Sequence, residues 1–133
     1  MYTHPKLEAF TKTLESLFHQ VDEILEVKWE GLYPLHPNRP QKGATVNPEM
    51  DGLFEIAPDF TLGLGSAHGR GYRISMRIAT LDPVSAENRE LLLGETAALV
   101  AERLPVFFPN RDLRVVKDPG GYKIIGDFSL GDV

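Results

Sequence analysis

The segment GLGSAHGRGYRISMRI, Gly63 to Ile78, decides the fold. Glycines that cradle a phosphate must hand the chain to a helix, whereas glycines that turn a hairpin must hand it to a strand. Here the glycines lead into YRISMRI. Tyr72, Ile74, Met76 and Ile78 alternate with Arg73, Ser75 and Arg77, the period of a strand with one apolar and one polar face. A dinucleotide fingerprint fails as well, because Gly63 and Gly65 fit its first two positions but the sixth is His68. No lysine followed by Ser or Thr supplies a phosphate-binding P-loop, and the kinase-type glycine flap lacks its lysine strand. The segment is a hairpin.

Working outward, LFEIA (53–57) and FTLGL (60–64) read as the preceding strand, either interrupted at Pro58 or split in two. Upstream, from Pro5 to about Val27, Leu7, Phe10, Leu14, Leu17, Val21 and Ile24 recur in steps of three and four. Phe18 and Leu25 broaden that stripe beyond a coiled-coil seam, which points to a helix packed on its own sheet. Glu8, Lys12, Glu15, His19, Asp22 and Glu26 fall on its polar face, where Asp22-Glu23 reads as a solvated acid pair.

Downstream, Asp82-Pro83 or Ser85 opens a second helix that buries Leu93, Ala97, Val100 and Leu104 and stops at Pro105. Gly94 inside it costs about 1 kcal/mol relative to alanine, so close packing is expected there. LRVVKDPGGYKIIGDFSL then forms a second hairpin around Asp118-Pro119-Gly120-Gly121. The expected fold is α+β in one domain over residues 1–133. An antiparallel sheet of about four to five strands, in α-ββ-α-ββ order, carries both helices on one face. That element order is similar to the small secretion chaperones, which bind unfolded partner segments, and the likeness extends to fold order alone.

Residues 30–52 hold four of the ten prolines and three glycines and read as a long loop or strap. Pro34, Pro37 and Pro40 recur every third residue, the period of a polyproline turn. Trp29, Tyr33 and Leu35 are its expected anchors and the expected partner-contact residues, since large side chains supply most of the burial available there.

The chain has 19 acidic and 14 basic residues, a net charge of −5, which sets its field against nucleic acid. Without cysteine it has no thiol nucleophile, disulfide or thiolate metal site, and this suits the cytoplasm. MYTHPKLEAF has no secretory pattern, and no apolar run approaches bilayer length, so no membrane contact is expected. His4, His19, His36 and His68 lack any zinc spacing, and Ser66 sits in no nucleophile elbow; no metal, cofactor or catalytic residue is assigned.

Two functional readings remain. The first is a cytosolic binding or regulatory module that works through protein–protein contacts, chaperone-like, with a protein partner or a second copy of itself. The second is an anionic-ligand protein or enzyme. It uses Arg73, Arg77 and Ser75 on the polar hairpin face, beside a floor of Thr61, Gly63 and Gly65, with Arg70 and His68 at the rim.

Overall fold

The computed structural model describes residues 5–63 and 68–128. Helix α1 spans Pro5–Lys28, strands β1 and β2 span Phe54–Thr61 and Gly71–Ile78, and helix α2 spans Ala86–Phe107. Strands β3 and β4 span Leu113–Asp118 and Gly121–Gly126. The four strands form one antiparallel sheet in the order β1-β2-β4-β3, so the two hairpins join through β2 and β4.

Both helices cover the same side of the sheet. Phe10, Leu14, Leu17, Phe18, Val21 and Leu25 of α1 meet Phe54, Ile56, Ile74 and Ile78 in one core that also takes Leu92, Val100 and Leu104 of α2. The breadth expected of the α1 stripe is present, since Phe18 and Leu25 are fully buried, but its first member Leu7 is 40% exposed and Ile24 is half-buried. Ser85 caps α2, its Oγ accepting from the Asn88 amide at 3.0 Å. Gly94 sits under the Tyr122 hydroxyl, 3.2 Å from where a Cβ would stand, which is the close approach its presence implied.

Three expectations are corrected. β1 runs unbroken through Pro58. The amide of Ala79 donates to the carbonyl of Leu53, so the odd residues of β1 face β2 and the even ones face outward. Pro58 is thus at an outward position, where its missing N–H costs the ladder nothing. Helix α2 does not stop at Pro105 but continues to Phe107, with the Phe108 amide closing on Leu104 at 2.8 Å. Buried Leu104 and Phe108 anchor the last turn on both sides of the proline, and only one bond near the end is lost. Asp22 is not solvated; it is 2% exposed.

The strap keeps no regular structure beyond a 3₁₀ turn at Pro48–Met50. At its proline repeat the Arg39 amide donates to the His36 carbonyl, which makes a turn in place of an extended polyproline run. Arg39 then takes over the role of a ladder, its guanidinium donating to the carbonyls of Glu49 at 2.7 Å, Gly52 at 3.0 Å and Asp51 at 3.2 Å.

This packing separates core from surface energetically. Phe18→Ala is expected to lower the unfolding free energy by about 3–5 kcal/mol through lost burial and the cavity left behind. Arg77→Ala on the polar face is expected to cost under about 1 kcal/mol. Urea denaturation of the two variants checks this, and equal losses would contradict the layer assignment.

Candidate functional site

The end of α1, the strap and the start of β1 line an open cavity of about 520 Å³. Trp29, Tyr33, Leu35 and Leu53 supply its apolar lining, and Glu26, Glu30 and Lys42 its charged lining. The three anchors expected from the sequence therefore converge on one site. Tyr33 is fixed by its hydroxyl, which accepts from Asn88 Nδ2 at 3.0 Å and ties the strap to α2. Glu26 Oε1 accepts from the Phe54 amide at 2.8 Å, so the acidic wall is held by the first outward donor of β1. Gly52 has φ +77°, and a Cβ there would run into the Glu26 carboxylate. The turn that brings the strap back into β1 therefore needs glycine twice over. The indole N–H of Trp29 is buried and finds no acceptor among the described residues.

Behind this wall lies an ionic cluster that the sequence reading missed. Lys42 Nζ is 3.2 Å from Asp22 Oδ2 and 3.7 Å from Asp51 Oδ1. Both aspartates are buried, at 2% and 1% exposure. Asp51 Oδ2 accepts from the amides of Gly43 and Thr45 and from the Thr45 hydroxyl. Burial pushes this carboxyl up, but those hydrogen bonds and Lys42 outweigh it and leave it below the usual carboxylate range. Asp22 has no such amides. Burial raises its pKa to about 7 against the pull of Lys42, with Glu26 and Asp51 adding to the rise. His19 stands near, its Nε2 3.7 Å from Glu49 Oε1.

On the far face of the sheet, Arg73, Ser75 and Arg77 do share one side. The expected glycine floor is overturned by the register, because Arg73 lies opposite Asp59, Ser75 opposite Ala57 and Arg77 opposite Glu55. Arg77 Nε contacts Glu55 Oε2 at 2.7 Å, and Arg73 Nη1 contacts Asp118 Oδ1 at 3.1 Å. The Arg73 guanidinium holds the Asp118 carboxyl below its usual range. Ser75 Oγ donates to the Ala57 carbonyl. The Arg73 fork is thus committed to an acid, whereas Arg77 meets its acid through Nε with the side chain 67% exposed. His68 and Arg70 are exposed on the β1–β2 connection; Gly65 and Ser66 lie outside the described residues, as does His4. Lys123 is fully buried on this face and donates to the Gly69 carbonyl at 2.6 Å. Among the described residues no group of three His, Asp or Glu side chains could hold a metal ion, and no helix is long and apolar enough to cross a membrane.

Asp22 sets a pH dependence. Its folded pKa lies above its unfolded value of 3.8, so the stability it allows is complete below about pH 4 and is lost as the pH rises through 7. Asp22→Asn, measured by urea denaturation at pH 4, 5.5, 7 and 8, is expected to gain on the parent protein as the pH rises to about 7, after which the difference between the two stays constant. A difference independent of pH would contradict this reading.

A family model described as "Uncharacterised protein" matches residues 5–126, from the start of α1 to the end of β4. An "Uncharacterized protein" of Borreliella burgdorferi (strain ATCC 35210 / DSM 4680 / CIP 102532 / B31) is 38% identical over 123 residues, covering 92% of this chain and 96% of that protein. No solved structure matches.

Proposed function

This chain belongs to the family whose model spans residues 5–126, and we propose that it is a cytoplasmic binding module that holds a segment of a partner protein in the strap cavity. One observation carries the reading: Trp29, Tyr33, Leu35 and Leu53 line a single opening beside Glu26 and Glu30. Its volume falls within the roughly 300–1,000 Å³ of sites that take small ligands or a few side chains. Aromatic walls give a partner side chain apolar contact at little entropic cost, and Trp and Tyr are the residues that anchor interfaces.

The charge around the opening selects the partner. The ammonium of Lys42 faces Asp22 and Asp51, so the acids at 26 and 30 leave the rim negative. An apolar side chain flanked by a basic one fits this arrangement, with the cation drawn both to carboxylate and to aromatic faces.

Trp29 is the only tryptophan of the chain and reports on the cavity directly. Short peptides pairing leucine with lysine are expected to change its fluorescence saturably, whereas leucine–glutamate peptides are not. Glu30→Lys is expected to weaken the basic peptides about tenfold or more, as for loss of one charge pair. Unchanged emission with every peptide at millimolar concentration would contradict the reading.

A further inference from the structure

The two edges of the sheet are built differently. β1 is closed to strand addition, because Phe54 has its outward amide occupied by Glu26 and Pro58 has none to offer. β3 has neither device. The Asp127 amide donates to Asp112, so the even residues of β3 bond β4, and Leu113, Val115 and Lys117 turn their backbone groups outward. The sequence LRVVKD contains no proline or glycine. The one lysine that would guard such an edge is drawn away from it. Lys117 Nζ is 2.9 Å from Glu90 of α2 and 5.4 Å from the centre of the Tyr122 ring.

The helix beside this edge is also prepared for close approach. Glu90 fixes which flank of α2 overhangs β3, and Gly94, Ala98, Ala101 and Pro105 continue along that flank in steps of three and four. The last three are exposed, and Leu91 beside them is 56% exposed. A flank of small residues lets another helix draw near without a side-chain clash.

We propose that β3 and this flank of α2 receive a second copy of the chain, pairing β3 antiparallel with its twin about a two-fold axis through Val116. The occupant follows from self-complementarity. In that register Val115 and Lys117 of each copy exchange backbone bonds, and Arg114 stands opposite Asp118 of the other copy, adding a second cation to the carboxyl that Arg73 of that copy already holds. Arg114 is exposed and has no ion-pair partner among the described residues. A register shifted to place Arg114 on the axis sets arginine against arginine, and one centred on Val115 sets Asp112 against Asp118. The two four-stranded sheets become one of eight, with all four helices on one side.

Val116 would lie at a non-hydrogen-bonded pair, where Cα atoms approach to about 4.5 Å, within disulfide reach. The chain has no cysteine to confuse the result. Sedimentation of the full chain is expected to show twice the 14.8 kDa of one copy. Val116→Cys is expected to cross-link under mild oxidation, while Val46→Cys, fully exposed on the strap, is not. Arg114→Glu is expected to weaken the dimer about tenfold or more with unchanged circular dichroism. A monomer at millimolar concentration, or equal cross-linking at 46 and 116, would overturn the proposal.

Discussion

One lysine held between two buried aspartates keeps the strap on the first helix. Asp22 comes from α1, and Lys42 and Asp51 come from the strap, so the contact ties together segments twenty and more residues apart. Lys42 draws on both carboxylates, and the Gly43 and Thr45 amides hold Asp51 as well. Removing one partner of a buried ion pair leaves an uncompensated charge, which costs more than the pair contributes. The rest of the strap depends on it. Asp51 gathers the amides of Gly43 and Thr45, Arg39 gathers three carbonyls, and Gly52 turns the chain into β1 against Glu26. A segment without helix or sheet thereby has its backbone groups satisfied from side chains, and the cavity exists because the segment is held.

The molecule divides its surfaces by the same logic. On the polar face of the sheet Arg73 and Arg77 lie against acids, with Lys123 buried beneath the β1–β2 connection. The β1 edge is closed by a proline and a capped amide. The two proposed contact regions are the aromatic cavity at one end of α1 and the β3 edge with its flank of α2. They lie on different elements, so a partner segment and a second copy could be held together without competing for the same residues.

The fold was legible because its signals are local. Period-two alternation at 72–78 and the broad stripe of α1 each report burial from one element alone. Trp29, Tyr33 and Leu35 were legible as anchors for the same reason, being large apolar groups in a proline-rich stretch. Asp22 was not. Three residues after His19 and four before Glu26, it continues a polar series, and only the strap folding over it makes it buried. Lys42 and Asp51 carry no mark of that contact, since nothing in the intervening residues specifies which helix face the strap will cross. The glycine floor failed through register, because the strand ends at Thr61 and the arginines meet Asp59 and Glu55. Polar alternation gives the face of a strand but not the offset of its neighbour. At Pro105 a local rule was overridden by core contacts on both sides of the ring.

Amide hydrogen exchange across residues 36–54 tests the ionic anchor most directly. The Gly43, Thr45, Gly52 and Phe54 amides, each bonded to a fixed acceptor, are predicted to exchange far more slowly than an open chain. In Lys42→Ala the first two are predicted to lose that protection while the amides of the β1–β2 ladder keep theirs. Open-chain exchange at Gly43 and Thr45 in the parent protein, or protection there indifferent to Lys42, would contradict the account.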